Sequence, residues 1–332
     1  MSRTITNISR GVALVLLSFA LLTHAEEDEI APVQINRDEL VMISVKGAIS
    51  QPGMRKNIYR VSADGLPQVF PGTGGITYNF RVGDSAVHLA GNHVEPAVSI
   101  ENLGPDDQAD GRESRGLNAL ANIGNEAMVI TGDAKGARGA VIGKHGGIEH
   151  VMVDFKDDAV YDNLAIGDEI QIRGYGTGMR LTNVEGVTVM NIGPRLFDAL
   201  SAGGMARTAD GKLRIGVTHL IPAKIMGSGL GRDQTYTGDY DINFFDPETV
   251  EEYDLDTLRF GDIVAIVDAD STYGRVYRQG AITIASVSHG RSDSAGHGPG
   301  VTTLFTSKTG QIEAFKTADA NLAKLLKLRR LK

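Results

Sequence analysis

The chain has 332 residues, of which 42% are hydrophobic and 22% charged, enough for two domains or one large domain with a substantial core. Its net charge of −8 argues against a nucleic-acid partner, because nucleic acids bind basic surfaces. It has no cysteine, so any bound metal must be held by histidine, carboxylate or carbonyl oxygen.

The first 25 residues have the pattern of a secretory signal peptide. Arg3 and Arg10 precede the apolar run "GVALVLLSFALL", and the stretch ends at the small residue Ala25. The run is shorter than the roughly 20 residues that span a bilayer, and an acidic linker over 26–39 follows. We therefore expect an exported protein, periplasmic or secreted, whose mature chain has no transmembrane span.

From Leu40 onward, short β-branched runs alternate with Gly, Asn and Asp turns, as in "LVMISVKG" and "HVMVDF". This spacing is typical of β-barrels and sandwiches. Only "SRGLNALANIGNEA" and "PRLFDALSAGG" predict short helices, the second beginning at Pro194 and ending at Gly203. The predicted fold is mainly β (α+β): two barrel- or sandwich-like modules, a few short helices and a C-terminal helix. The predicted divisions are a domain over 40–200, a Gly-rich linker over 201–212, a domain over 213–310 and a basic amphipathic helix over 311–332.

The predicted C-terminal helix carries leucines at helical spacing among five basic residues in "ADANLAKLLKLRRLK". Two interpretations stay open for its apolar face: packing on the protein's own acidic domain, or contact with anionic lipid or a partner. A homo-oligomer is also compatible with the sequence.

A weak internal repeat joins "FRVGDSAVHL" (80–89), "LAIGDEIQI" (164–172) and "LRFGDIVAI" (258–266). Each copy places Gly-Asp between apolar residues. Glycine there can adopt a positive φ, and the aspartate can accept a local backbone hydrogen bond. The repeat predicts turns that lead into strands, with structural rather than catalytic aspartates.

The stretch "VITGDAKGARGAVIGKHGG" resembles the KOW motif, a strand–turn–strand of small barrels, and predicts a barrel hairpin. His145 and His150 follow in "GKHGGIEHV". If a strand begins there, Glu149 and His150 point to opposite faces. The segment is compatible with metal binding, with acid–base chemistry in partnership with distant residues, or with a hydrogen-bonded turn.

Other candidates lie in Gly-rich loops. His297, in "AGHGPGVTTL", is flanked by glycines that let a ligand approach the backbone, and His289 lies eight residues earlier. "GNHVEPAVSIEN" holds His93, Glu95 and Glu101.

Two pairs of aspartates could bind a hard cation or share acid–base work: Asp239 with Asp241, and Asp268 with Asp270. Within each pair the residues are two apart, so on a strand both point to one face. As loop residues they would instead form Asx turns.

The blocks "PGTGGITYNFRVGDSA", "GNHVEPAVSIEN", "GNEAMVITGDAKGARGAVIGKHGGIEHVMV", "GSGLGRDQTYTGDYDI" and "AGHGPGVT" resemble the DUF4438 family over most of residues 40 to 305. This resemblance implies a two-part, β-rich protein and carries no established activity. "FGDIVAI" and "GHGPGV" are also similar to segments of acetamidases and formamidases, which are β-rich amide hydrolases.

These patterns favour two hypotheses. In the first, the protein is a metal-assisted hydrolase of a small amide or similar polar substrate. Its catalytic residues would come from His145, His297 and Glu95, and a divalent metal would be held by residues among His145, His150, His297, Asp239, Asp241, Asp268 and Asp270. In the second, the protein is a ligand-binding or structural β module without turnover.

Overall fold

The computed structural model describes residues 30–53, 59–103 and 111–331; the predicted leader lies outside them. The described strands are β1 (Met42–Ile49), β2 (Arg60–Val61), β3 (Pro67–Gln68), β4 (Ile76–Thr77), β5 (Ala97–Glu101), β6 (Glu126–Val129), β7 (Arg138–His145), β8 (His150–Phe155), β9 (Glu169–Tyr175), β10 (Thr188–Val189), β11 (Ala206–Arg207), β12 (Leu213–Val217), β13 (His219–Pro222), β14 (Tyr240–Asp241), β15 (Ile263–Asp270), β16 (Val276–His289), β17 (Gly300–Ser307) and β18 (Ile312–Lys316). The α-helices are α1 (Arg112–Leu120), α2 (Pro194–Ala202), α3 (Pro247–Glu252) and α4 (Leu322–Leu325), with 3₁₀ turns at Arg37–Glu39, Asp158–Asn163, Ala223–Ile225 and Leu255–Thr257. Within the described ranges, every helix is too short or too polar to span a bilayer.

The first module is a closed antiparallel barrel of six strands. Their order is β1-β9-β6-β7-β8-β5, and β5 pairs back with β1 through Ala48 opposite Glu101, while β4 extends the sheet beside β5. Sequence alternation accounts for the strands: in β9, Ile170 and Ile172 are buried while Arg173 is exposed. β6 and β7 pair as the predicted hairpin.

The second module is a six-stranded sheet. Five strands follow the order β10-β17-β16-β15-β13, and the sixth, β14, pairs with the beginning of β17 at Gly300 and Val301, on the edge where β10 pairs with its end. A smaller sheet, β11-β12-β18, lies beside it, and the predicted linker over 201–212 contributes β11. One hydrophobic core runs through the barrel and into β12 and α4, and a second core underlies the six-stranded sheet. The predicted mainly β class with few short helices is confirmed.

All three copies of the Gly-Asp repeat form the same turn. Gly83, Gly167 and Gly261 have φ of 91°, 90° and 78°, values that favour glycine. The following aspartate accepts a hydrogen bond from the backbone N–H three residues before it, at 2.9 Å in every copy. The second and third copies lead into β9 and β15, but the first leads into irregular chain. The aspartates are therefore turn residues, as predicted.

The C-terminal segment is less helical than predicted. Ile312–Lys316 forms β18, which pairs in parallel with β12 along its whole length. The backbone hydrogen bonds of this pairing favour a strand over the predicted helix. The helix is limited to α4, which Asn321 caps by accepting from the N–H of Ala323. Leu322 and Leu326 lie in the protein's own core, which favours the intramolecular interpretation of the apolar face.

Candidate functional site

The candidate site lies where the turn between β7 and β8 of the barrel meets β14, β16 and β17 of the second module. It opens on a cavity of about 440 Å³, whose wall includes His93, His145, Asp239, Asp241 and His297. That volume is in the range of small-molecule sites.

Strand register brings distant residues together around Gly300. β17 lies between β14 and β16, so that Gly300 is opposite Asp241 on one side and His289 on the other. A side chain at this position would collide with the site, because a Cβ there would lie 2.0 Å from Asp239 Oδ2 and 2.1 Å from His289 Nε2. The glycine therefore leaves the space in which those polar atoms converge.

The first group of candidate ligands is His93, Asp241 and His297, whose ligand atoms all lie within 4.8 Å of one another. His93 Nε2 is 2.9 Å from His297 Nδ1, which is 3.0 Å from Asp241 Oδ2. Burial, together with the neighbouring His289 and His145, lowers the pKa of His93 to about 4, so its imidazole is neutral near pH 7. A neutral imidazole nitrogen is a metal ligand.

The second group is His145, Asp239 and His289, which is fully buried and equally close. His289 Nε2 and Asp239 Oδ2 lie 2.7 Å apart, yet neither atom has a partner at hydrogen-bond geometry among the described residues. Burial alone would lower the pKa of His289, but Asp239 and Asp241 outweigh it and hold that pKa well above its usual value. Without a cation, the His289 imidazolium thus balances these carboxylates.

Asp241 connects the two groups. Its Oδ2 faces His297 at 3.0 Å, and its Oδ1 lies 3.4 Å from His289 Nε2. The imidazole rings of the two groups are also close together. The ring centroids of His145 and His289 are 4.1 Å apart, and those of His93 and His289 are 5.1 Å apart. Asp239 and Asp241 are two residues apart, and both carboxylates face His289 Nε2, as the two-residue spacing predicts for one face.

Glu95 supports the second group from behind. Its fully buried carboxylate accepts from His145 Nδ1 at 2.6 Å and from His150 Nδ1 at 2.9 Å. The backbone N–H of Gly74 and the hydroxyl of Ser99 also donate to it. Burial would raise the pKa of Glu95, but His150 and His145 outweigh it and hold that pKa well below its usual value. His145 is thereby fixed with Nδ1 toward Glu95 and Nε2 free to face the site.

His150 lies outside both groups of candidate ligands. Burial lowers its pKa, but Glu95 and Glu101 more than compensate and raise it to about 10. Its Nε2 lies 3.5 Å from Glu101 Oε2, so both ring nitrogens face carboxylates. His150 is therefore a cation that holds Glu95 in place.

Asp268 and Asp270 are not brought to the site. A β-bulge between Val267 and Ala269 interrupts the alternation in β15, and Asp268 there has φ of 63°. Asp268 accepts from the N–H of Gly280, while Asp270 accepts from Thr272 and pairs with Arg278 at 3.1 Å. The contact of Asp270 with Thr272 is the Asx turn considered from the sequence, whereas Asp268 accepts from β16, twelve residues away.

The structure thus gathers His145, His297, Asp239, Asp241, Glu95 and His150 from the predicted set. His93 and His289 complete the groups and were noted in the sequence without being placed among the metal ligands. The feature of the sequence that could have identified them is the neighbouring residue, Asn92 or Gly290. In the structure, His93 Nδ1 forms a hydrogen bond with Asn92 Oδ1, and His289 Nδ1 forms one with the carbonyl of Gly290.

Comparison with known proteins places the chain in a family without describing a reaction. Residues 59–198 match the N-terminal part of the domain of unknown function DUF4438, and residues 204–326 match its C-terminal part. The chain is similar to a solved structure described as "Crystal structure of TM1086", at 42% sequence identity and a TM-score of 0.81 over 88% of this chain and 99% of that one. No curated protein matches. The likeness confirms the family and the fold that the sequence predicts.

Proposed function

Because this chain belongs to the DUF4438 family, whose description names no activity, we propose its function from its own site: a metal-dependent hydrolase of a small amide or similar polar substrate. A pair of divalent ions would be held by the first group (His93, Asp241 and His297) and the second group (His145, Asp239 and His289). Export by the predicted leader is part of the same proposal.

The observation that carries the proposal is the pair of three-residue groups that meet at Asp241. Imidazole and carboxylate together suit zinc or manganese better than calcium, which prefers oxygen ligands alone. A carboxylate that faces two ligand groups with different oxygens is suited to bridging two ions.

The outer contacts fit this role. A histidine that binds metal through one nitrogen donates the other N–H to a carboxylate or carbonyl, which fixes the ring. His145 donates through Nδ1 to Glu95, and His289 through Nδ1 to the carbonyl of Gly290. The unpaired Nε2 of His289 and Oδ2 of Asp239 are then explained as ligand atoms.

Bound ions would supply a Lewis acid for a carbonyl oxygen and lower the pKa of a water molecule. In amide hydrolysis that water adds to the carbonyl carbon, the C–N bond breaks, and the leaving nitrogen takes a proton. The protein would hold the reacting groups between the two sets of ligands. His297, whose side chain is 35% exposed, is the most exposed of the six candidate ligands and lines the cavity.

A structural module without turnover is favoured by a different observation. The ion pairs His289–Asp239 and His150–Glu95 already balance buried charge without a metal. In that case the cluster would stabilise the junction of the two modules, and its histidines would be hydrogen-bonded residues only.

Elemental analysis of the purified protein after incubation with zinc or manganese and gel filtration distinguishes these functions. We expect a pair of ions per wild-type chain, their loss in Asp241→Asn, and no change in the matched carboxylate variant Asp268→Asn. Release of ammonia from formamide and acetamide is then measured on the same samples. Absence of bound metal overturns the proposal and supports the structural module, whereas bound metal without hydrolysis of any amide tested overturns the hydrolase and leaves a metal-binding module.

A further inference from the structure

We infer that the substrate of this site carries a carboxylate, which Arg232 and Arg275 bind at the cavity wall. This inference rests on the proposed function for the reaction, and it names the class of molecule on which the reaction acts: a small amide that is also an acid.

Arg275 is a buried cation that forms no ion pair among the described residues. It is 1% exposed, its guanidinium donates to the carbonyls of Gly229 at 3.4 Å and Thr237 at 3.3 Å, and it lies 5.1 Å from the centroid of the Tyr240 ring. Its Nε has no hydrogen-bond partner among the described residues. A buried guanidinium with weak or absent bonds is costly, because it gives up its hydration without full replacement.

Arg232 adds a second positive charge on the same wall. It is exposed, lines the cavity with Arg275, and forms no ion pair among the described residues. The two arginines lie on paired segments, since the backbone N–H of Arg275 donates to the carbonyl of Arg232 at 3.1 Å. Two cations that face one cavity are stabilised by an anion placed between them.

The balance of charge in the cavity also favours an acid. Asp239 and Asp241 now offset part of the charge of Arg275, but both would be engaged by the ions. The other carboxylate on the cavity wall in the described ranges is Glu149, and it interacts with the buried Lys144. A metal-loaded cavity would therefore be positive. A guanidinium group binds a carboxylate through two parallel hydrogen bonds, so the arginines of this wall are suited to a small carboxylic acid.

The test uses calorimetric titration of the full, zinc-loaded protein with N-acetylglycine and its neutral analogue N-acetylglycinamide. We expect N-acetylglycine to bind the wild type about tenfold more tightly than the neutral N-acetylglycinamide. Arg232→Ala, at an exposed position, should abolish most of this preference. Arg330→Ala removes the same charge away from the cavity wall and should keep it. Arg275→Lys tests the buried position, where the charge is retained and the two parallel hydrogen bonds are lost.

Equal binding of the two ligands by the wild type, or no detectable binding of either, overturns the inference. A preference that survives Arg232→Ala also overturns it, because the acid would then bind the metal directly. Metal content is measured in parallel. If the wild type holds no metal but Arg232→Ala still loses the preference, the proposed function fails and the anion site stands. If metal is bound and no preference exists, only the anion site fails.

Discussion

Two buried clusters in this molecule each combine carboxylates with basic side chains, and they differ in how completely their polar atoms are hydrogen-bonded. In the first, Arg81 donates to Asp154 at 2.8 Å, Tyr161 donates to the same carboxylate at 2.8 Å, and the guanidinium lies over the Tyr161 ring. In the second, His289 Nε2 and Asp239 Oδ2 approach each other without hydrogen-bond geometry.

Burial of charge alone therefore does not indicate function. Arg81 and Asp154 form a buried pair whose polar atoms are hydrogen-bonded, whereas the His/Asp cluster opens on a cavity and two of its converging atoms, His289 Nε2 and Asp239 Oδ2, have no hydrogen-bond partner among the described residues. Unsatisfied polar atoms that converge beside a glycine gap, rather than buried ion pairs, therefore distinguish a site from a structural bridge.

The largest expected effect belongs to the structural cluster. Arg81→Met leaves Asp154 buried without its cation, so we expect a loss of about 3–5 kcal/mol in the free energy of unfolding, measured in urea. Metal content should not change. The control Arg37→Met removes an arginine from an exposed pair with Asp198 and should cost at most about 1 kcal/mol. A metal-free but stable Arg81→Met protein would contradict the division between the clusters.

The pH dependence of stability tests the support of the site by Glu95 and His150. The pKa of His150 is raised from 6.5 to about 10, so its stabilisation is complete below pH 6.5 and is lost as the pH rises toward 10. The loss amounts to several kcal/mol, since the pKa rises by about 3.5 and each pKa unit corresponds to about 1.4 kcal/mol. The pKa of Glu95 is lowered, so its contribution is present above pH 4.5 and is lost as the pH falls.

Glu95→Gln should therefore reduce the alkaline loss, because His150 then has only Glu101 to favour its charged form. Urea unfolding at several pH values between 6 and 10 measures the difference from wild type, which cancels the titration of other groups. Glu126→Gln, in a pair on the barrel exterior, should retain the wild-type slope. An unchanged slope in Glu95→Gln would remove Glu95 from this role.

The sequence predicts the parts of this molecule that depend on neighbouring residues. Alternation in β9 and the Gly-Asp turns at Gly83, Gly167 and Gly261 follow from local backbone and burial requirements. The hairpin of β6 and β7 follows from its turn residues in the same way.

The composition of the site depends on contacts between distant segments and could not be read in full. His93 and His289 are separated by nearly 200 residues, and only the register of β17 through Gly300 brings His289 to Asp241. The two Asp-x-Asp pairs are indistinguishable as patterns. A bulge in β15 directs one pair into contacts outside the site, and the pairing of β14 with β17 directs the other into the site.

Metal addition tests the second cluster through stability. A ligand that binds only the folded state at 100 times its Kd raises the free energy of unfolding by about 2.7 kcal/mol. We expect zinc or manganese to do so in the wild type and not in Asp241→Asn, as measured by urea unfolding with and without the ion. Calcium is the matched control and should have little effect, because it prefers oxygen ligands. Equal stabilisation by all three ions would contradict this set of ligands.

Gly300→Ala tests the same cation position without altering any charge. Its Cβ would occupy the space against Asp239 Oδ2 and His289 Nε2, so we expect metal stabilisation to disappear. Gly280→Ala is a control on the neighbouring strand, with no atom within 4 Å of the added carbon. It can carry a modest backbone cost because φ there is 80°. Retention of the zinc effect in Gly300→Ala would show that the gap is not a cation position.

The smallest effect concerns the other aspartate pair. Asp268→Asn keeps a side chain that tolerates a positive φ and can still accept from the N–H of Gly280. We therefore expect a change of about 0.5 kcal/mol or less in the free energy of unfolding, with full metal content by elemental analysis. Asp239→Asn, the corresponding change in the other pair, should lose metal. The reason is that Asp239, unlike Asp268, lies with His145 and His289 in a group of candidate ligands. Equal metal content in the two variants would contradict this assignment.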